Sequence, residues 1–91
     1  MSPNEFYVLL IIYKYGQINI NEINIHILIP LPNIKTILYS LQNTNKLIKN
    51  INYSNEGDDS FIITESGKNK LLNYFIESPV IISHLPNYIK L

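Results

Sequence analysis

The sequence predicts a small α+β domain in which three helices are followed by a β-hairpin and a fourth helix. Helix-capping patterns precede three of these helices, with Ser2, Asn19 and Thr64 as the capping residues. Residues 47–53 and 60–64 alternate apolar and polar side chains, as two paired strands do. The segment between them contains Asn, Glu, Gly and Asp in succession, which is turn chemistry. These observations together predict the order of the elements.

Length and composition limit the possible functions. The chain has 91 residues and predicts one domain, since a core of this size buries only about 60 to 70 per cent of the unfolded chain's surface. It contains no cysteine, which excludes disulfides, thiolate metal sites and thiol nucleophiles. Its net charge is zero, so any nucleic-acid site must be local. The longest apolar run, residues 6–13, is shorter than the about 20 residues of a membrane span. We therefore expect a protein of the cytoplasm, or of a host's cytoplasm if the gene is viral or plasmid-borne, with no membrane partner.

The first helix is predicted to be apolar on two sides. A capping box at residues 2–5 starts it at Pro3, and Gly16 ends it after Tyr15. The residues expected in the core are Phe6, Leu9, Leu10 and Tyr13. The opposite side is formed by Val8, Ile11, Ile12 and Tyr15. Because we expect one core to use only one side, we predict that the second side is a homodimer interface.

The second and third helices are each predicted to bury one side. The second starts with the cap at residues 19–22, buries Ile20, Ile23 and Ile27, and ends before Pro30. The third has Pro32 in its first turn and a left-handed Asn45 at its end. Its predicted core residues are Ile34, Ile37, Leu38 and Leu41. Its outward side carries Asn33, Lys35, Thr36, Tyr39, Ser40 and Asn43.

The hairpin and the fourth helix complete a domain predicted to span residues 1–78. In the first strand, alternation places Leu47, Ile51 and Tyr53 on one side and Ile48 and Asn50 on the other. The fourth helix is predicted from Glu65 to about Glu77, with Leu71, Leu72, Phe75 and Ile76 packed inward. Residues 79–91 form an apolar tail, helical or extended, that we expect to pack on the domain or on a dimer partner. The tail residues predicted at the dimer interface are Val80, Ile81, Ile82, Leu85 and Ile89.

Two segments, one at each connection between the hairpin and a neighbouring helix, resemble those of a known family. Residues 41–48 contain a leucine, a variable linker and then Leu-Ile entering the hairpin. Residues 61–71 have the pattern aromatic-x-hydrophobic-Thr-x-x-Gly-x-x-x-Leu. These patterns and the order of elements are similar to those of winged helix-turn-helix regulators of the bacterial and archaeal MarR and PadR type. The resemblance covers about residues 5–75.

The resemblance implies a DNA-binding transcriptional regulator that acts as a homodimer. Residues 32–43 would be the recognition helix in the major groove, and residues 47–64 the wing. The side chains expected to contact double-stranded DNA are Asn33, Lys35, Thr36, Tyr39, Ser40, Asn43, Lys46 and Lys49. The chain has no arginine, and its wing tip carries Glu56, Asp58 and Asp59. We therefore expect the tip to contribute little to DNA binding or to oppose it.

No enzymatic or metal function is predicted. His26 and His84 have no carboxylate or second histidine at the spacing of a helical metal site. Asp58 and Asp59 are expected on a solvated turn, without the environment that makes a carboxyl group a general acid. We expect no catalytic residue, metal or cofactor. The alternative to a DNA-binding regulator is a winged-helix module that binds protein. A neutral or acidic surface would favour this alternative, whereas clustered lysines would favour DNA binding.

Overall fold

The fold is described from a computed structural model, in which residues 2–51 and 59–77 are placed. This part of the chain contains four α-helices and a three-stranded antiparallel sheet. It is an α+β arrangement compatible with a winged helix. The elements in order are α1 (Pro3–Tyr15), β1 (Gln17–Asn19), α2 (Ile20–His26), α3 (Leu31–Tyr39), a π-helical segment (Ser40–Thr44), β2 (Ile48–Ile51), β3 (Ser60–Ile63) and α4 (Glu65–Glu77).

Local side-chain bonds start the first two helices as predicted, and Gly16 ends the first. The Ser2 hydroxyl accepts a hydrogen bond from the Glu5 N–H at 3.2 Å. At the start of α2, Asn19 Oδ1 accepts from the Glu22 N–H at 2.8 Å, and Glu22 Oε1 accepts from the Asn19 N–H at 3.3 Å. Gly16 closes α1 with a φ of 76°, which glycine adopts without the steric cost of a Cβ. These bonds satisfy N–H groups that a helix start would otherwise leave without a partner.

The sheet joins the second strand of the hairpin to the strand that follows α1. The strand order is β1-β3-β2, so β3 is central. Phe61 pairs with Ile18 on one side and with Asn50 on the other. Directly opposed residues share a face of an antiparallel sheet, so these three side chains lie on the face that also carries Ile48. The inward side of β2 is therefore the side of Ile48 and Asn50, and Tyr53 lies outside the described residues.

The prediction that α1 would leave one side exposed is wrong. Val8, Ile11 and Ile12, which were expected at a dimer interface, are fully buried in the domain's own core. Tyr13, which was expected in the core, is 53% exposed. The reason is that α1 contacts α2, α3, α4 and β3, so neighbours cover it on nearly every side. A central helix of this kind uses both of its apolar sides.

The inward side of α4 also differs from the prediction. Leu71 is buried as expected, but Leu72 and Ile76 are 57% and 70% exposed. Tyr74 faces inward instead, with its ring stacked 4.3 Å from the ring of Phe6. Phe75 meets Phe6 edge to face at 5.7 Å. The helix is therefore rotated so that aromatic rings, rather than the two aliphatic side chains, cover α1.

The third helix buries the predicted side and ends differently. Ile34, Leu38 and Leu41 are buried, while Ile37 is only half-buried. The helix continues as the π-helical segment, whose wider turn is closed by a bond from the Asn45 N–H to the Ser40 carbonyl at 3.1 Å. The residue with positive φ is Lys46, at 54°, and not Asn45.

Candidate nucleic-acid interface

The outward side of α3 is the predicted recognition surface. Asn33, Lys35, Thr36, Tyr39 and Asn43 are exposed, as expected from the burial of the opposite side. Tyr39 is 67% exposed, which is high for a large aromatic ring on a helix. The structure thus leaves a row of hydrogen-bonding side chains, one cation and one aromatic ring accessible on a rigid helix.

Two of the predicted contact residues have local structural roles. The Thr36 hydroxyl donates to the Pro32 carbonyl at 3.1 Å, so its proton is used within the helix. Ser40 is half-buried, and its carbonyl accepts from the Asn45 backbone N–H and, at 3.5 Å, from the Asn45 amide. Thr36 can still accept a hydrogen bond, and Ser40 is less accessible than the other predicted contact residues because it is half-buried. Asn33, Lys35, Tyr39 and Asn43 are therefore the stronger candidates.

A cleft of about 370 Å³ lies between α3 and the hairpin. It brings together three of the predicted contact residues, Lys35, Tyr39 and Asn43. The other residues that line it are Ile20, Leu38, Gln42, Asn50, Asp59 and Phe61. Gln42, Asn50 and Asp59 were not predicted as site residues. They reach the site through the π-helical segment and the strand register, which a single-sequence pattern does not specify.

Asn50 is the least expected member of the cleft. Its place opposite Phe61 puts a carboxamide on the inward face of β2, among apolar neighbours. Its Oδ1 is buried, and no donor among residues 2–51 and 59–77 lies within hydrogen-bonding distance. An acceptor buried in this way costs about 1 to 3 kcal/mol. Such a cost points to a role other than stability, and an inward asparagine between Ile48 and Phe61 is the signal that sequence reasoning overlooked.

The lysines of the hairpin do not share one surface. Lys46 is exposed on the turn that follows the π-helical segment. Lys49 is exposed on β2 and pairs with Ile62, which places it on the sheet face opposite Asn50. Of the acidic residues predicted at the wing tip, Asp59 lines the cleft, and Glu56 and Asp58 lie outside the described residues. Lys35 is therefore the predicted cation that the structure places in the cleft.

The base of the hairpin is attached to the first turn of α4. The Thr64 hydroxyl donates to the Lys46 carbonyl at 2.9 Å and accepts from the Gly67 N–H at 3.0 Å, while the Thr64 N–H donates to the Leu47 carbonyl at 3.0 Å. Gly67 is required because a Cβ there would fall on the Leu47 carbonyl oxygen and 2.6 Å from Ile63 Cγ1. The Thr-x-x-Gly motif thus positions the hairpin beside α3.

The surface available for a dimer differs from the predicted one. Tyr15 is exposed as predicted, but its ring stacks on His26 at 4.5 Å, with its hydroxyl 3.5 Å from Nδ1. The exposed apolar side chains near the α1–α4 junction are Tyr13, Leu72 and Ile76. The predicted tail residues Val80, Ile81, Ile82, Leu85 and Ile89 lie outside the described residues.

Membrane and metal functions gain no support from the described residues. Within residues 2–51 and 59–77, no helix has the length and apolar character that crossing a membrane requires. The same ranges contain no group of three or more His, Cys, Asp or Glu side chains arranged to hold a metal ion.

Models of known protein families give no match to the chain, and curated proteins give none either.

Proposed function

We propose that the chain is a DNA-binding transcriptional regulator that inserts α3 into the major groove. The observation that carries the proposal is an open polar surface, with Asn33, Lys35 and Tyr39 exposed on α3 and Asn43 exposed on the π-helical segment that continues it, while the opposite side is buried. A helix fits the major groove, where asparagine can pair with adenine and an aromatic ring can contact a thymine methyl group. The hairpin beside α3 takes the position of a wing.

We propose that the regulator acts as a homodimer through exposed apolar side chains of α1 and α4. Tyr13 and Leu72 line one shallow pocket, and Ile76 is exposed one turn after Leu72. The largely apolar tail of residues 79–91 comes shortly after α4 in the sequence. A second copy is the favoured occupant, since two such surfaces and two tails would bury each other's apolar side chains. Sedimentation at micromolar concentration tests this: a dimer is expected, and Leu72→Asp with Ile76→Asp should give a folded monomer.

A mobility-shift assay with random and AT-rich duplexes tests the DNA-binding proposal. With Lys35 and Lys46 near the groove, a dimer neutralises about four phosphates, so the logarithm of affinity should fall against the logarithm of salt with a slope of about −4. Lys35→Ala should flatten that slope by about 2 across the dimer. Lys70→Ala, an exposed lysine on α4, is the matched control and should leave the slope unchanged.

Substitutions on α3 separate sequence readout from general attraction. Asn33→Ala and Tyr39→Ala should change which duplexes bind, since these side chains carry no charge and would meet base edges. Absence of any shift at about 50 mM salt would contradict the proposal, because non-specific binding is strongest at low salt.

The second candidate is a winged-helix module that binds protein. Two observations favour it: Asp59 lines the same cleft as Lys35, and Lys49 lies on the other face of the sheet, whereas a DNA-binding surface usually gathers its lysines. A folded protein that shifts no duplex in the assay above would make this the leading function.

A further inference from the structure

The cleft between α3 and the hairpin has the size of a small-molecule site. Its volume of about 370 Å³ lies in the lower part of the range for ligand pockets, about 300 to 1,000 Å³. It is built from a helix, a π-helical segment and two paired strands, and the Thr64–Gly67 bonds hold the base of the hairpin to α4. The cleft is therefore supported by regular structure on both sides.

Its polar groups are mainly carboxamides. Gln42, Asn43 and Asn50 all line the cleft, and each carries a donor and an acceptor side by side. Asn50 Oδ1 is buried without a donor among the described residues, although the residue itself is partly exposed. Rotation of that amide toward the cleft would present the acceptor to a ligand N–H. The edge of a nucleobase offers the complementary donor and acceptor, which is how asparagine and glutamine pair with bases.

The remaining walls favour a flat, uncharged ligand. Tyr39 is exposed and provides an aromatic face on which a planar ring can stack, while Phe61 and Leu38 are buried and form an apolar floor. Lys35 and Asp59 both line the cleft, and their opposite charges cancel. A ligand with a net charge would therefore gain from one of them and be repelled by the other.

We propose that this cleft binds a nucleobase, presented as a free, uncharged nucleoside, with its ring on Tyr39 and its edge toward the Asn50 carboxamide. This site goes beyond the proposed DNA contact, in which α3 meets a duplex through its outward side. Lys35, Tyr39 and Asn43 belong to both surfaces, so an occupied cleft would also reduce their availability to DNA.

Titration of the ¹⁵N-labelled full chain with adenosine, guanosine, cytidine and uridine in turn, followed by NMR, tests the proposal. One or more nucleosides should give saturable shifts at Tyr39, Gln42, Asn50 and Phe61, with a dissociation constant on the order of 0.1 to 1 mM for a ligand of this size. Absence of saturable shifts at these residues for all of the nucleosides would overturn it. The titration contains no DNA, so a negative result would contradict the nucleoside site without affecting the DNA-binding proposal, which the mobility-shift assay tests separately.

Asn50→Leu is the decisive variant. It should keep or raise the melting temperature, because it removes a buried acceptor, and it should weaken nucleoside binding by about tenfold or more. Asn24→Leu, an exposed asparagine on α2, is the matched control and should bind as the wild type does. If Asn50→Leu does not fold, Gln42→Leu takes its place with the same expected loss. Unchanged binding in a folded variant would contradict the proposal.

A short single-stranded oligonucleotide distinguishes the source of the base. If pentadeoxyadenylate and free adenosine bind with equal affinity per base, the proposal that the ligand is a free nucleoside is supported. Much tighter binding of the oligonucleotide, with the same residues shifted and a strong salt dependence, would overturn the free-nucleoside proposal in favour of a nucleic-acid strand.

Discussion

Two apolar-rich helices of this domain, α1 and α3, are used in different ways. α1 is enclosed by α2, α3, α4 and β3, and Val8, Ile11 and Ile12 on its second side are as buried as Phe6 and Leu9 on its first. α3 lies at the edge of the domain and buries one side only. The difference teaches that a second apolar side indicates either a partner or a central position, and that topology decides between them.

The largest expected effect tests the central position of α1. Ile11→Asp should unfold the domain, because an unpaired carboxylate in the core costs several kcal/mol against a total stability of about 5 to 10 kcal/mol. Tyr13→Asp, two residues away and 53% exposed, is the control and should remain folded. Circular dichroism during thermal unfolding measures both. A folded, monomeric Ile11→Asp protein would show that this side of α1 is an interface after all.

The next effect concerns the attachment of the hairpin that stands beside α3. Gly67→Ala should lower the free energy of unfolding by about 3 kcal/mol, because the added Cβ meets a backbone carbonyl that cannot move away easily. Gly16→Ala, where a Cβ would meet no atom within 4 Å, should cost only the strain of its positive φ, about 1 kcal/mol. Urea unfolding compares the two, and equal losses would mean that the close approach at Gly67 is not tight.

The smallest effects are expected on the open side of α3. Thr36→Ala and Tyr39→Ala should each change the free energy of unfolding by no more than about 0.5 kcal/mol, since exposed side chains contribute little to stability. Leu38→Ala, on the buried side of the same helix, should cost about 2 to 5 kcal/mol. If Tyr39→Ala destabilises the domain as strongly as Leu38→Ala does, the outward side of α3 is part of a core.

The sequence predicts the starts of the first two helices, and the end of α1, better than it predicts the environment of each helix. Capping by Ser2 and Asn19 and the turn at Gly16 depend on neighbours within a few residues, so they are readable from sequence alone. The rotation of α4 places Tyr74 rather than Leu72 against Phe6, and Gly67 approaches Leu47 closely. Both contacts join residues that are distant in sequence, so helical spacing alone does not predict them.

The candidate site also combines features set by local spacing with features set by long-range contacts. The outward side of α3 follows from helical spacing, and Lys35, Tyr39 and Asn43 are where that spacing placed them. Gln42 and Asn50 complete the cleft only through the π-helical segment and through the pairing of Asn50 with Phe61. Strand register is set by long-range packing, which a single sequence does not display.

The bonds at the base of the hairpin have a mechanical consequence. Thr64 joins the strand entering the hairpin, at Lys46 and Leu47, to the first turn of α4 at Gly67. A single side chain therefore couples the hairpin to α4, and α4 is in turn held on α1 where Tyr74 and Phe75 contact Phe6. A displacement of α4 would be opposed both by these ring contacts and by the Thr64 hydrogen bonds at the base of the hairpin.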